Sequence, residues 1–417
     1  MGKLQEFSIQ FANNMDVFMP GQWVTGQVVV DLSDEMKMRA IELTFKGKGH
    51  VEWRENQQVQ DGGEPEQEEV RYWADEEFLD REITVLGKDE SGDNRTLDAG
   101  HHVFPFQYQL PQDGLPTSFE GAHGYIRYSV IGKIDKPWKF DHKTKRAFTV
   151  LDMVDLNQQP TAMTPLRGQE SKTLCCLCCA SGPIELQVMA ERSAYCPGEL
   201  INIKGSLENN SSSRITKVKA RLKQEVVYNA DHPEHKPRPI TKDLGTAEEG
   251  GCEEGGTVDL NLTLPVPAVP PSNLRYCSLI NLTYKLDVSA HFDGAHTSME
   301  LSFPILIGSI PLRSIYPTPP AFPPPPVPPG FDAAYPPPNP GAYPPPNPGA
   351  YPPPNPGGSY PPGGPDAVYP PPAPASYMQS VFGESNIRDD DDNEYIRGTL
   401  NYAPKYPYYN WSQHPQI

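Results

Sequence analysis

The chain has 417 residues, with 53 acidic residues against 35 basic ones and a formal net charge of −18. This length allows two or three domains of about 150 residues, each large enough to bury a core. The anionic balance argues against a nucleic-acid-binding protein, because phosphate binding needs clustered cations. No segment approaches the ~18 consecutive apolar residues of a membrane span, and we expect a soluble, cytosolic protein.

Residues 17–51 resemble residues 194–228 without a gap, so that Pro20-Gly21 corresponds to Pro197-Gly198. Each Pro-Gly pair is a turn signal, and each is followed by alternating apolar and polar residues. Alternation at period two is typical of a strand with one face on a core. The chain is therefore predicted to be a tandem of one β-rich unit.

The first unit is predicted to span residues 1–156. Period-two runs predict strands at 4–12, 23–32, 40–46, 108–110, 125–134 and 148–151. Residues 57–77 are acidic and polar, and they are interpreted as a long exposed hairpin loop. Phe119, Glu120 and Gly121 precede a strand and are interpreted as a core anchor and turn residues.

A connector is predicted at 157–172, and the second unit at 173–312. Strands are predicted there at 184–189, 200–207, 216–227, 258–264, 281–290 and 301–307. No helical crossovers of 10 to 15 residues lie between the predicted strands. The fold class is therefore all-β, with two antiparallel, immunoglobulin-like sandwiches.

Residues 313–417 are rich in proline, tyrosine and glycine, with few aliphatic side chains. Such a segment cannot bury enough apolar surface to offset its ordering entropy, so a disordered tail is predicted. Tyr-Pro-Pro-Pro-Asn-Pro-Gly recurs every eight residues at Tyr335, Tyr343 and Tyr351. The favoured local conformation is polyproline II, a preformed ligand for aromatic grooves, and a flexible spacer is the alternative.

Four of the seven cysteines are clustered, at Cys175, Cys176, Cys178 and Cys179. Their spacing offers C-x-x-C twice, but a zinc site is disfavoured because no second cluster with matching spacing follows, and an odd count speaks against a disulfide framework. Two interpretations remain open. The thiols are buried on the strand that opens the second unit, or they are sites of S-palmitoylation.

A basic stretch surrounds Pro137-Trp138 in this otherwise acidic chain. Its cations are Lys133, Lys136, Lys139, Lys143, Lys145 and Arg146. They are candidates for contact with phosphorylated or acidic cargo tails, or with anionic lipid headgroups. An ordinary solvated hairpin is the alternative. No catalytic constellation, metal site or phosphate-binding loop is found, so neither an enzyme nor a cofactor is predicted.

Four ordered runs give a resemblance to a known family: LPTSFEGAHGYIRY (115–128), KTLCCLCCASGPIEL (172–186), YCPGELINI (195–203) and FPILIGSIPL (303–312). They resemble the α-arrestins, the arrestin-domain-containing proteins. The resemblance implies arrestin N- and C-domains joined by a short hinge. It also implies an adaptor that binds membrane-protein cargo, recruits WW-domain HECT ubiquitin ligases, and acts at the plasma membrane and endosomes in endocytosis, sorting and ubiquitin-dependent turnover.

Family members usually recruit the ligase through Pro-Pro-x-Tyr, which is absent from this sequence. The nearest matches are Pro319-Pro320-Ala321-Phe322, Pro328-Pro329-Gly330-Phe331 and Ala403-Pro404-Lys405-Tyr406. A missing hydroxyl bond costs about 1 kcal/mol, so weak WW binding stays open. The tyrosine repeat resembles tails that bind penta-EF-hand calcium adaptors or SH3 domains. The alternatives are therefore a tail-driven scaffold without a ligase, or a retromer-like subunit that shares only the fold.

Overall fold

A computed structural model describes residues 3–59, 66–89, 91–137, 141–176, 179–293, 297–315, 376–388 and 396–410. Within these ranges the regular structure consists of strands and two 3-10 turns, Ala12–Asn14 and Leu156–Gln158, with no α-helix. The predicted all-β fold class is confirmed.

The N-domain is a sandwich of two β-sheets whose strands are mostly antiparallel. Its strands are β1 (Leu4–Phe11), β2 (Val17–Phe18), β3 (Trp23–Leu32), β4 (Met36–Met38), β5 (Ala40–Val59), β6 (Glu66–Leu86), β7 (Arg95–Leu97), β8 (Gly100–Gln109), β9 (Phe119–Gly121), β10 (Gly124–Asp135) and β11 (His142–Val150). One sheet has the order β1-β3-β8 and the other β2-β11-β10-β5-β6, while β9 pairs with β10 and β4 with β7. Alternating apolar residues of both sheets meet in the core, where Phe45, Tyr128 and Phe148 are fully buried.

The predicted loop at 57–77 is wrong for most of its length. Strand β5 continues to Val59 and pairs with β6, which begins at Glu66. Tyr72 and Ala74 are buried between charged neighbours, so this segment has strand periodicity that its acidic composition hides. The hairpin therefore belongs to the folded N-domain rather than to solvent.

The C-domain repeats the sandwich. Its strands are β12 (Leu166–Cys176), β13 (Cys179–Ala190), β14 (Ala194–Tyr195), β15 (Leu200–Asn209), β16 (Ile215–Ala230), β17 (Lys236–Cys252), β18 (Thr257–Pro265), β19 (Ile280–Phe292) and β20 (Met299–Ile307). The sheet orders are β12-β13-β15-β18 and β14-β20-β19-β16-β17. The second half of the predicted 157–172 connector is thus part of β12, because it pairs with β13 along its length.

The sequence duplication corresponds to a structural one. Strands β3 and β15 are each ten residues long and begin three residues after the proline of the Pro-Gly turn. Gly21 and Gly198 take φ of +81° and +95°, which explains glycine at both turns. The Tyr128 hydroxyl donates to the Pro116 carbonyl at 2.8 Å, and the Tyr284 hydroxyl to the Pro270 carbonyl at 2.7 Å.

Direct contacts join the two domains. The Trp73 N–H donates to the His232 carbonyl at 3.0 Å, and the two rings stack with centroids 4.6 Å apart. Elsewhere the Arg275 guanidinium binds both carboxylate oxygens of Asp152, at 2.6 and 2.8 Å. Backbone pairing and a bidentate ion pair hold the domains together more firmly than a hinge of linker residues alone would.

The C-terminal segment forms strands of its own: β21 (Ser376–Gln379), β22 (Ser385–Asn386), β23 (Arg397–Thr399), β24 (Asn401–Tyr402) and β25 (Lys405–Tyr408). Strand β23 pairs in parallel with β11, in register Thr144↔Arg397 to Arg146↔Thr399. For residues 376–388 and 396–410 the structure therefore differs from the predicted disordered tail. The reason is burial of tyrosines, which supply the apolar area that composition alone seemed to lack. We call residues 396–410 the strap.

Candidate partner-binding surfaces

The predicted basic stretch lies on the neighbouring strands β10 and β11. Lys133 on β10 forms an ion pair with Glu42, with Nζ and Oε2 2.6 Å apart. Lys136 donates to Nε2 of His142 at 2.8 Å, and Lys143 is partly exposed. Lys139 lies outside the described residues. The sheet thus brings several of these cations together, although acidic and imidazole neighbours already contact two of them.

Lys145 and Arg146 are less accessible than the sequence indicates. Lys145 is 3% exposed, and its ammonium donates to the Ile387 carbonyl at 2.9 Å. Arg146 donates to the Ile9 carbonyl at 2.8 Å, and its guanidinium lies 4.6 Å from the Phe11 ring centroid. Lys145 is therefore held by the C-terminal segment, and it is unavailable to a partner while that segment is docked.

His142 is a titratable group of this strand that the sequence analysis did not identify. Burial lowers its pKa to about 4, and the positive charges of Lys136 and Arg397 act in the same direction. The neutral ring can accept a hydrogen bond from Lys136. Because Arg397 belongs to the strap, the protonation of His142 reports on strap docking.

The strap inserts tyrosines into the N-domain. Tyr402 lies with its hydroxyl 3.1 Å from Thr149 Oγ1 and 3.3 Å from the Phe148 carbonyl. Tyr406 is fully buried, and its hydroxyl donates to the Ser118 carbonyl at 3.0 Å. Between them Lys405 forms a 2.6 Å ion pair with Asp16. Burial raises the pKa of both phenols, so each stays protonated as a donor.

The strap reaches the C-domain through Tyr409. Its side chain is 1% exposed, and its hydroxyl donates to the Ser309 carbonyl at 2.8 Å. Its backbone N–H donates to the Pro197 carbonyl at 3.1 Å. The turn at Gly198 fits tightly against it, since a Cβ on Gly198 would lie 1.9 Å from the Tyr409 carbonyl oxygen. The strap therefore crosses from one domain to the other.

The predicted tail ligands have different outcomes. Ala403-Pro404-Lys405-Tyr406, the nearest match that ends in tyrosine, is part of the docked strap, and its Tyr406 is not accessible to a WW domain there. The other proposed tail residues lie outside the described residues: Pro319, Pro320, Phe322, Pro328, Pro329, Phe331, Tyr335, Tyr343 and Tyr351.

The clustered cysteines lie at the turn between β12 and β13. Cys175 pairs with Ala180 and Cys176 with Cys179 in the strand register, which places the cluster at the end of a hairpin. Cys178 and the side chains of the other three lie outside the described residues. Both interpretations of the cluster, buried thiols or palmitoylation sites, therefore stay predictions.

A cavity of about 260 Å³ opens where the N-domain, the C-domain and the C-terminal segment meet. Phe119, Glu120 and Gly121 line one side, with Lys242 and Phe382 among the other lining residues. The Nε and Nη2 atoms of Arg127 donate to the two carboxylate oxygens of Glu120, at 2.5 and 2.8 Å. Phe119 is 1% exposed and belongs to the hydrophobic core, as expected of a core anchor, whereas Gly121 is the last residue of strand β9. Among the described residues, no group of three or more metal-ligating side chains converges.

None of the helices in the described ranges has the length and apolar character needed to cross a bilayer. Two sandwiches of duplicated topology, bridged by a tyrosine strap, define a class of tandem β-sandwich proteins.

Comparison with known proteins identifies the family. The model for the arrestin (or S-antigen) N-terminal domain matches residues 7–157, and the C-terminal domain model matches residues 180–312. Arrestin domain-containing protein 4 of Mus musculus is 30% identical over 315 residues, covering 74% of this chain and 73% of the relative. Arrestin domain-containing protein 17 of Caenorhabditis elegans is 29% identical over 322 residues, covering 75% and 72% respectively. The chain belongs to the arrestin-domain-containing family, which supports an arrestin-family adaptor.

Proposed function

We propose that this protein is an α-arrestin adaptor that binds membrane-protein cargo and couples it to endocytosis, endosomal sorting and ubiquitin-dependent turnover. The observation that carries the proposal is the pair of arrestin domains, which direct contacts join into one binding body. In this proposal the folded domains bind cargo, and the proline-rich segment recruits further proteins.

The cargo contact is assigned to the basic strands β10 and β11. Lys133, Lys136 and Lys143 carry the proposed contact, since Lys145 is covered by the C-terminal segment. An acidic or phosphorylated cytosolic tail is the favoured ligand, because an extended peptide fits beside strands and offers charge-assisted hydrogen bonds. Anionic lipid is the alternative.

This contact is tested with the full chain and a K133A/K136A/K143A variant. Binding to a phosphorylated peptide is measured by fluorescence anisotropy, and binding to phosphatidylserine vesicles by sedimentation. We expect peptide affinity to fall about tenfold, with K217A/K219A of the C-domain unchanged as a matched control, since those lysines face Glu248. If only vesicle binding is lost, the ligand of this surface is anionic lipid rather than a cargo peptide. If neither assay shows a loss, the proposed site is contradicted.

Recruitment through the proline-rich segment has two candidate modes. WW-domain binding of HECT ligases would use the Pro-Pro-x-Phe variants at Phe322 and Phe331. A scaffold without a ligase would instead use Tyr335, Tyr343 and Tyr351 to bind SH3 or penta-EF-hand adaptors. The buried position of Tyr406 favours the second mode, because it removes the best tyrosine-ending match from the accessible set.

A panel of WW, SH3 and penta-EF-hand domains, with and without calcium, distinguishes these modes on the full chain. Under ligase recruitment, F322A/F331A abolishes WW binding and Y335A/Y343A/Y351A leaves it intact. Under the scaffold, the tyrosine variant abolishes binding of the other classes, and repeated weak sites make the loss steeper than one site would. Binding of none of these domains would contradict both modes.

A further inference from the structure

The three buried strap tyrosines share one chemical feature. Each hydroxyl donates to a main-chain carbonyl oxygen: Tyr402 to Phe148, Tyr406 to Ser118 and Tyr409 to Ser309, while Tyr402 also contacts the Thr149 hydroxyl. A carbonyl oxygen can only accept a hydrogen bond, so each position requires a donor from the strap. These three positions are called the tyrosine sockets.

The sockets also limit size. The residues Tyr402, Tyr406 and Tyr409 are 8%, 0% and 1% exposed. The fit extends to the backbone on both domains: a Cβ on Gly398 would lie 2.2 Å from the Lys145 carbonyl oxygen, and the Gly198 turn touches Tyr409. The phenol oxygens lie 3.3, 3.0 and 2.8 Å from their carbonyl acceptors, so a phosphate group added there would collide with the main chain.

A phosphotyrosine cannot occupy such a socket. The ester oxygen has lost its proton, and the phosphate brings about −1.5 to −2 charges and three acceptor oxygens against a carbonyl acceptor. Burying this charge against a carbonyl oxygen is strongly unfavourable, and one neutral hydroxyl such as that of Thr149 does not neutralise it. The sockets therefore distinguish unmodified from phosphorylated tyrosine, and they select the unmodified form.

We propose that Tyr402, Tyr406 and Tyr409 are phosphorylation sites whose modification releases the strap from both domains. In the transfer, the phenol oxygen bonds to the terminal phosphorus of a nucleoside triphosphate as the bond to the nucleoside diphosphate breaks. The phenol proton passes to a base of the kinase. Because the hydroxyls are buried, the kinase acts on transiently undocked strap, and the modified strap cannot return.

Release has a defined structural consequence. Strand β11 loses its partner β23 at Thr144–Arg146. Ile387, whose carbonyl accepts from Lys145, loses the strap carbonyl of Leu400 that its own N–H binds at 2.8 Å. A basic strand edge and the inter-domain face of the Gly198 turn then become accessible. This regulation goes beyond the proposed function and does not depend on which cargo or ligase the protein binds.

The experiment uses the full chain with phosphotyrosine placed genetically at position 402, 406 or 409. Tyr408 provides the matched control, because it lies on the same strand β25 but is only partly buried. Hydrogen exchange is followed by mass spectrometry in peptides covering 397–409. We expect exchange about tenfold faster or more with phosphate at a socket tyrosine, and unchanged exchange with phosphate at Tyr408.

Two further readouts make each outcome decisive. Peptides from β19 (Ile280–Phe292) must keep their protection, since loss there would indicate unfolding and overturn a separable strap. Tyr406→Phe keeps the ring but removes the donor, so it should loosen the strap far less than phosphate does. Retained protection with phosphate at all three socket positions, or equal loss at Tyr408, would overturn the proposal.

Discussion

The two domains are copies of one sandwich, yet their last strands, β11 and β20, contact different neighbouring segments. In the C-domain, β12 runs beside β13, and its Gly168 lies against Phe303 and Leu301 of the last strand β20. In the N-domain the strap strand β23 pairs with the last strand β11. The segment beside β20 in the C-domain comes from the connector that precedes that domain. The segment beside β11 in the N-domain lies about 250 residues later in the sequence.

The edge residues follow this difference. From the strand registers, Thr149 of β11 corresponds to Leu306 of β20, and Lys145 corresponds to Ser302. Thr149 and Lys145 form hydrogen bonds with Lys405 and Ile387 of the C-terminal segment. On β20, Leu301 and Phe303 instead lie against Gly168 of β12, a strand of the same domain. Under the proposed release of the strap, the N-domain edge is regulated and the C-domain edge is permanent.

The largest expected effect comes from an ion pair that only one copy has. Arg192 and Glu199 are 7% and 0% exposed, with Glu199 also accepting the Cys196 N–H at 2.6 Å. The corresponding N-domain residues are Met15 and Gln22, where the Gln22 side chain accepts the Met19 N–H at 2.9 Å. Arg192→Met leaves a buried carboxylate without its cation and should cost about 3–5 kcal/mol of unfolding free energy.

Urea denaturation measures this loss, and R192M/E199Q provides the matched test. The double variant installs the N-domain pair, keeps an acceptor for Cys196, and should recover at least about 2 kcal/mol. A double variant no more stable than R192M would show that the charge pair is not the source of the difference between the copies.

The two Pro-Gly turns should respond unequally to alanine. Gly21→Ala meets only the Gln112 side chain at 3.3 Å, so it should cost about 1 kcal/mol through its positive φ. Gly198→Ala has the same strain and also collides with Tyr409, so it should in addition undock the strap. Thermal denaturation and hydrogen exchange of 405–409 measure both effects. Equal behaviour of the two variants would contradict the close contact between Tyr409 and the Gly198 turn.

Equal responses are expected where the copies agree. Tyr128→Phe and Tyr284→Phe each remove a hydroxyl that donates to a proline carbonyl, and each should cost about 1 kcal/mol. Chemical denaturation of the two variants in parallel checks this equality. A difference of several kcal/mol would contradict the structural equivalence of the tyrosines.

The smallest effect concerns pH. The position of His142 corresponds to buried Met299 in the C-domain, so only the N-domain edge titrates. Its pKa is lowered to about 4 in the folded chain, so the unfolded chain binds more protons and stability falls as pH drops from 6.5 towards 4. Arg397→Gln should raise this pKa in an NMR titration, with Arg388→Gln as control. If Arg397→Gln leaves the pKa of His142 unchanged, as Arg388→Gln should, the charge of Arg397 does not act on His142 and the docked position of the strap is contradicted.

The sequence predicts the fold well because the core follows period-two alternation and two Pro-Gly turns. It fails at 57–77, where charged residues around Val70, Tyr72 and Ala74 hide a strand, and at 166–172, where polar residues form the start of β12. The strap has no local sequence signal, because its contacts lie far away in the sequence. The sequence indicates only a weak WW ligand at Tyr406, and no neighbouring residue indicates that its hydroxyl is buried against the Ser118 carbonyl.

The most direct test compares the two edges by hydrogen exchange in the full chain and in a chain that ends at residue 373. The account predicts faster exchange at Thr144–Arg146 of β11 on removal of the C-terminal segment, with unchanged exchange at Leu301–Phe303 of β20. Unchanged exchange at both edges would contradict the strap as the partner of the N-domain edge.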